Sequence, residues 1–272
     1  RDAEQQTARL AGFVQEIKAL RPDLVYTWGT PPTLGIAGPH DAVDPARHVT
    51  GIPIVFALVA APVAAKVVPS LTAPGRDITG VTHVATLESQ LEAIRTYRPF
   101  SRLGVLYNAA ERNSVATAEG LRQLAASQRF QLIEQVFDRD ADGKAVPANI
   151  EDKVRAMKQA GAEWLYLGPD TYLFSQIERV ANAAMAQRLP TFSATEAALN
   201  GKAPVLAGLV SSYYTIGQFA GYKAEQILLG KQAARAIPIE SLSRYSFIVR
   251  IDVAKQLDVL PPVSLFNYAT IR

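Results

Sequence analysis

The chain has 272 residues, of which 49% are hydrophobic and 19% charged, and its formal net charge is only +3. This composition excludes a disordered chain and supplies enough apolar surface for one large core or two smaller ones. The absence of cysteine excludes disulfides, thiol catalysis and cysteine-ligated metals. No run of 18 apolar residues predicts a membrane span, and the dispersed basic residues do not favour nucleic acid as a partner.

Familiar catalytic and nucleotide-binding motifs are also absent. The sequence contains no HExxH, GxSxG, GxGxxG or GxxxxGK[ST]. Residues 138–143 match the first half of a calcium-binding EF-hand loop, but Asn149 stands where a glutamate is needed, so a polar turn is the preferred interpretation. We therefore expect no cofactor and no metal site.

The first part of the chain alternates helical and extended patterns. Pro31-Pro32 opens one short helix, for which Thr30 is the expected N-cap. The next loop holds His40 and His48. The predicted elements in order are a helix over 4–20, a strand over 24–30, a short helix from 31, a strand over 52–59, a short helix over 62–71, a strand over 78–84 and a helix over 87–97.

The alternation continues after residue 100. Asn113 or Ser114 is the expected N-cap of the first helix there. The predicted strands cover 101–108, 130–137, 163–170, 189–194, 205–212 and 244–252, and the predicted helices cover 113–128, 149–160, 171–187 and 215–229, with a short helix ending at 258.

Strands that alternate with helices predict an α/β protein with parallel sheets. Two similar halves predict two Rossmann-like lobes with a cleft between them. We expect lobe 1 to comprise residues 1–100 and 206–235, and lobe 2 to comprise 101–205 and 236–272. Because a parallel unit normally begins with a strand and this chain begins with a helix, a leading β–α–β segment is expected to be missing from the sequence.

The candidate binding residues follow predicted strands, where ligands of parallel sheets bind. Free helix N–H groups favour a carboxylate there, Asp170 suits an ammonium group, and Trp28, Tyr213 and Tyr214 offer flat apolar surfaces. Alternatively, Asp170 caps the next helix and Trp28 belongs to the core. The full set of candidates is Thr30, Pro31, Ala60, His83, Asn113, Ser114, Asp170, Thr171, Glu196 and Tyr213.

Several segments together resemble the periplasmic substrate-binding proteins of ABC transporters related to tryptophan- and tyrosine-binding components. These segments are IPIVFALVAAPV, SLTAPGRDITGVT, RLGVLYNAAERNS, WLYLGPD and GQFAGYKAEQILLG. The resemblance implies a type I periplasmic binding fold that lacks about 50 residues before Arg1. It also implies that Thr30 contacts the ligand, that Asn113 and Ser114 meet its carboxylate, and that Asp170 meets its ammonium. Family members commonly have Asp-Pro where this chain has Ala61-Pro62.

We therefore expect a non-catalytic, monomeric receptor that captures a small molecule between its lobes by hinge closure. The expected ligand is an amino acid or an aromatic carboxylate. The resemblance further implies an ABC permease as partner and a periplasmic or lipid-anchored extracellular location, with the signal peptide outside this sequence. A sensory or regulatory ligand-binding domain and an α/β enzyme are the alternatives; the first predicts a fused signalling segment and the second a nucleophile–base pair.

Overall fold

A computed structural model describes residues 3–272, with side chains from residue 8 onward. The chain divides into two compact units. Unit 1 comprises residues 1–83 and 213–243, and unit 2 comprises residues 84–212 and 244–272.

Ten α-helices and thirteen strands are described. The helices are α1 Ala3–Leu20, α2 Thr30–Ala37, α3 Leu87–Tyr97, α4 Arg112–Gln128, α5 Ile150–Gln159, α6 Thr171–Ser175, α7 Ile177–Ala186, α8 Glu196–Asn200, α9 Tyr213–Leu228 and α10 Ile251–Leu257. The strands are β1 Val25–Trp28, β2 Ile54–Ala57, β3 Ile78–Thr82, β4 Arg102–Tyr107, β5 Gln131–Val136, β6 Asp138–Arg139, β7 Ala145–Val146, β8 Trp164–Leu167, β9 Thr191–Ser193, β10 Ala207–Val210, β11 Glu240–Ser241, β12 Ser246–Val249 and β13 Thr270–Ile271.

Unit 1 is built on a parallel four-stranded sheet in the order β1-β2-β3-β11. Alternate residues of a strand point to opposite faces. Ile54 and Phe56 of β2 accordingly pack with α1 and α2, whereas Val55 and Ala57 pack against Ile216 and its neighbours on α9. Helices thus bury both faces of the sheet, which explains why β2 is apolar throughout.

Unit 2 contains a seven-stranded sheet in the order β13-β12-β10-β9-β8-β4-β5. All neighbouring pairs are parallel except β10 and β12. One face packs against α3, α4 and α10 around the buried rings of Trp164 and Tyr166, and the other packs against α5 and α7. The α/β class with parallel sheets is therefore confirmed.

Most predicted elements are present within a few residues of their expected bounds. The predicted bounds of α3 match the observed ones at both ends. Thr86 accepts a hydrogen bond from Ser89 N at the start of the helix, and Arg98 adopts an extended conformation at its end. Residues 138–143 form strand β6 and most of the turn of the β6–β7 hairpin, where Asp140 accepts hydrogen bonds from two backbone N–H groups.

Two helix predictions were wrong. Residues 62–71 form turns instead, because Lys66 adopts a left-handed conformation (φ 62°) that ends the first turn. The helix expected over 171–187 is divided into α6 and α7 at Gln176, whose ψ of 11° departs from helical geometry.

The predicted N-caps Thr30, Asn113 and Ser114 were also wrong. Gly29 precedes α2 with a φ of 85° that favours glycine, and Thr30 is the first helical residue. Glu111 precedes α4, which places Asn113 and Ser114 inside the first turn. Their side chains are consequently not needed as caps.

The two units are divided at different residues from those expected. Residues 84–100 belong to unit 2 because α3 packs against α4 and β10. Residues 206–212 also belong to unit 2, since β10 pairs with β9 and β12. Conversely, β11 pairs with β3 and so belongs to unit 1. The pairing partners of β10 and β11 decide these boundaries, and local sequence does not reveal them.

Candidate functional site

The strand order of unit 2 creates a crevice at one position. From β4 the chain passes through α4 to β5 on one side, then returns through α5 to β8 on the other side of β4. The connections after β4 and β8 therefore diverge, and ligands of open parallel sheets bind outside the carboxyl ends of such strands. Asp170 lies in the turn after β8, and Asn113 and Ser114 lie in the first turn of α4, directly after the turn that follows β4.

Asp170 holds these two turns together. One carboxylate oxygen accepts a hydrogen bond from Leu173 N at 2.8 Å, so Asp170 is the N-cap of α6, and the other accepts from Asn108 N at 2.6 Å. The side chain is buried. The predicted capping role is thereby confirmed. Each carboxylate oxygen can accept a further hydrogen bond, so this role does not exclude a ligand.

Asn113 and Ser114 lie beside Asp170, and both are buried. The amide nitrogen of Asn113 donates to Pro169 O at 2.6 Å, and the side chain also hydrogen-bonds to Glu111. Asn113 Oδ1 and Ser114 Oγ have no hydrogen-bond partner among the described residues. Buried polar atoms without partners are costly, so these two atoms mark a place where a ligand can bind.

Glu111 adds a second carboxylate to the same two turns. It accepts three hydrogen bonds from Thr171, two from the backbone N–H at 3.1 and 3.0 Å and one from the hydroxyl at 2.7 Å. Burial, and then the nearby charge of Asp170, raises the pKa of the Glu111 carboxyl above its usual range. The turn after β4 is thus attached to the turn after β8 at several points.

In unit 1, the carboxyl ends of the parallel strands lie in register. Trp28 of β1 pairs with Ala57 of β2, and Ala57 pairs with Val81 of β3. The segments that follow these strands therefore meet at one edge of the sheet. They include three predicted residues, Thr30, Ala60 and His83.

Side-chain hydrogen bonds stabilise the turn after β1 at this edge. Thr33 donates a hydrogen bond to Gly29 O at 2.7 Å, and its hydroxyl contacts that of Thr27 at 2.9 Å. Leu58, directly after β2, has a φ of 58°, which is unusual for a branched side chain. Such strain often accompanies binding sites, because the surrounding structure must hold it in place. Pro31 lies in the first turn of α2, as predicted.

Three aromatic rings meet at the same edge. Tyr213, the first residue of α9, contacts Trp28 and His83 edge-on, with ring centroids 6.0 and 5.9 Å apart. Trp28 is 47% exposed, whereas His83 is buried. Burial lowers the pKa of His83 to about 4, so its ring is neutral at pH 7. Trp28 therefore has an accessible ring rather than belonging to the core.

The predicted candidates thus form one group in each unit. Thr30, Pro31, Ala60, His83 and Tyr213 belong to unit 1, whereas Asn113, Ser114, Asp170, Thr171 and Glu196 belong to unit 2. Glu196 begins α8 directly after β9, which is the neighbour of β8.

The set of candidate residues chosen from the sequence omitted Asn108, Glu111 and Ser211, although each lies in a segment near the end of a predicted strand. Ser211 is buried and its hydroxyl has no hydrogen-bond partner among the described residues. Asn108 and Ser211 lie at the ends of predicted strands and Glu111 follows one, so their positions near strand ends were a usable signal.

The described residues contain no group of three or more histidine, cysteine or acidic side chains placed to hold a metal ion. Within the same range, no helix has the length and apolar character needed to cross a bilayer.

The chain belongs to the ABC transporter substrate binding protein family, which it matches over residues 1–271. The family resemblance noted from the sequence segments is confirmed. Proteins of this family are substrate-binding proteins, and the two α/β units are those of the type I periplasmic binding fold.

Individual relatives are more distant. The tyrosine-binding protein of Clostridioides difficile strain R20291 is 25% identical over 241 residues, which cover 88% of this chain and 64% of the relative. The chain thus spans less than two thirds of that relative's length. A conserved domain protein from Vibrio cholerae is 25% identical with a TM-score of 0.81, covering 97% of this chain and 83% of the other. An ABC domain in complex with L-Trp from Streptococcus pneumonia has a TM-score of 0.78 at 21% identity, covering 98% and 86%, and shows the shared fold.

Proposed function

We propose that this protein is the solute receptor of an ABC importer and captures an amino acid without changing it chemically. Membership of the substrate-binding family and the tyrosine-binding relative support this proposal. The observation that carries it is the pair of unpartnered buried atoms, Asn113 Oδ1 and Ser114 Oγ, next to the carboxylate of Asp170. Together they provide groups for both ends of an amino acid.

The hydrogen-bonding capacity of each atom decides which end it binds. The Ser114 hydroxyl can donate, and it lies in the first turn of the 17-residue helix α4, whose free N–H groups favour an anion. Ser114 therefore suits the carboxylate. The amide nitrogen of Asn113 is already engaged, and only its acceptor Oδ1 lacks a partner. Asn113 thus joins Asp170 as an acceptor for the ammonium, a different role from the carboxylate contact implied by the family resemblance.

Calorimetry with paired ligands tests this assignment. We expect Asp170→Asn to weaken binding of L-tyrosine by roughly 10- to 100-fold, because an ammonium loses its charged partner. The same substitution should hardly change the affinity for 3-(4-hydroxyphenyl)propionate, which lacks the amine. Asp142→Asn, on the exposed turn of the β6–β7 hairpin, is the matched control. Equal losses for both ligands would refute the ammonium assignment.

A thermal-shift screen over amino acids and aromatic acids tests the receptor function itself. A ligand that binds only the folded protein raises its melting temperature by mass action. We expect at least one amino acid to produce a saturable increase and to be recovered unchanged after incubation. If the protein converts the bound molecule, it is an enzyme and the proposal fails.

The partner and the location belong to the same proposal. We infer an ABC permease as the partner and a position outside the cytoplasmic membrane, because the family consists of substrate-binding components of such transporters. Co-purification of the full-length protein with its permease in the presence of ligand tests this. A copy that stays in the cytoplasm and responds to ligand there would favour the sensory alternative.

A further inference from the structure

The aromatic edge of unit 1 contains an unused hydrogen-bonding group. Trp28 is the last residue of β1, His83 lies one residue beyond β3, and Tyr213 begins α9, so three separate parts of the chain bring these rings together. Tyr213 contacts the other two edge-on, at 6.0 and 5.9 Å between centroids. Edge-on pairs of this kind are favourable and hold the rings at defined angles.

His83 differs from its two neighbours because its polar group is buried. The side chain is only 5% exposed, and Nδ1 has no hydrogen-bond partner among the described residues. Burying a ring nitrogen without a partner is unfavourable, so a residue with a purely structural role is poorly suited to this position. A ligand that supplies the missing hydrogen bond would recover that cost.

His83 contributes no charge to ligand recognition at the aromatic edge of unit 1. His83 is neutral at pH 7, because burial lowers its pKa to about 4. A neutral imidazole has one nitrogen that donates and one that accepts a hydrogen bond. Such a group next to accessible aromatic surface fits a flat, uncharged ring that carries one polar substituent.

We propose that Trp28, Tyr213 and His83 form an aromatic subsite in which His83 Nδ1 hydrogen-bonds the polar substituent of the ligand's ring. His83 is then the specificity residue that distinguishes tyrosine from phenylalanine. This inference rests on the proposed amino-acid receptor function and concerns only residues of unit 1. A site built to bond a substrate hydroxyl rejects the analogue that lacks it, because its own polar group stays buried and unpartnered.

The test measures the affinities of L-tyrosine and L-phenylalanine by calorimetry. We expect the protein to bind tyrosine at least about tenfold more tightly than phenylalanine. His83→Phe keeps a ring of similar shape but removes both nitrogens, so the preference should fall to about twofold or less, mainly by weaker tyrosine binding. His40→Gln, in the loop after α2, is the matched histidine control and should leave the preference unchanged.

A second measurement uses the unaltered protein and does not depend on how His83→Phe folds. The chain has three histidines, so the imidazole ¹⁵N resonances can be assigned by comparison with His40→Gln and His48→Gln. We expect the His83 Nδ1 resonance to shift on addition of L-tyrosine but not of L-phenylalanine.

The two possible failures are distinguishable. The role of His83 is refuted if His83→Phe keeps the preference for tyrosine, or if the His83 resonance does not shift when tyrosine is added. The proposed receptor function is unaffected by either result. Absence of any amino-acid binding to the unaltered protein overturns both.

Discussion

Lowering the pH from 7 to 4 should cost this protein about 3 kcal/mol of folding free energy at His83 alone. In the folded protein, burial lowers the pKa of this side chain from 6.5 to about 4. The unfolded chain therefore takes up a proton at pH values where the folded chain cannot. The stability contributed by neutral His83 is complete above pH 6.5 and is lost as the pH falls towards 4.

The magnitude follows from the difference in pKa. A difference of about 2.5 pKa units, at about 1.4 kcal/mol each, gives about 3.5 kcal/mol when the loss is complete, of which about 3 kcal/mol is lost by pH 4. At pH 5 the expected loss is about 2 kcal/mol. His83→Phe has no titrating group at this position. Its free energy of unfolding, relative to that of the unaltered protein, should therefore rise by that amount between pH 7 and pH 5.

Urea unfolding followed by tryptophan fluorescence can measure this loss in unit 1. The chain has two tryptophans, Trp28 in unit 1 and Trp164 in unit 2. In a Trp164→Phe background, the emission reports only on unit 1. Other titrating groups cancel when His83→Phe is compared with its parent at each pH. A difference between the two that stays constant within about 0.5 kcal/mol from pH 7 to pH 5 would refute the reasoning.

Three further predictions concern packing and buried charge. Gly80→Ala should destabilise unit 1 by about 3 kcal/mol in urea unfolding, because the added methyl group would lie 2.5 Å from a backbone oxygen in β2. The control is Gly217→Ala on α9, where the added methyl group meets open space. This substitution should stabilise the protein by up to about 1 kcal/mol. Lys223→Met should lower the free energy of unfolding by about 2 kcal/mol, because the buried ammonium donates to Pro238 O and to Glu240 at 2.6 Å each. An unchanged urea midpoint would show that these hydrogen bonds contribute nothing to stability. Glu111→Gln should become more stable relative to the unaltered protein as the pH rises above 4.5, because a raised pKa makes the charged carboxylate unfavourable in the folded state. The urea midpoints of both proteins are measured at pH 5 and at pH 7. An equal change in midpoint between these two pH values in both proteins would contradict the prediction.

Local patterns predicted the elements well where the residues on one element determine its limits. The helix α3 is an example, since its apolar spacing, its Thr86 cap and its final Arg98-Pro99 are all adjacent in the sequence. Prediction failed where a single backbone conformation ends a helix. Lys66 in its left-handed conformation and the break at Gln176 between α6 and α7 leave no clear mark in the residue types.

The candidate site shows the same division. Its position at strand ends was predictable, because parallel strands place their carboxyl ends at one edge of a sheet. The roles of individual side chains were not. Asn113 is a plausible cap by residue type, but the structure uses its amide on Pro169 and leaves Oδ1 without a partner. Glu111 looks like an exposed loop residue, yet it accepts three hydrogen bonds from Thr171.

The amino-acid sequence by itself determined the α/β class, the order of most elements and the family, because hydrophobic periodicity and short segments are local properties. Only the tertiary structure decided which strands pair, and therefore where the two units divide. It also decided that residues 60 positions apart in the chain, such as Glu111 and Thr171, lie within hydrogen-bond distance. Hydrogen bonding and burial depend on distances in space, so the chemistry of the site emerges only when the sheets are assembled.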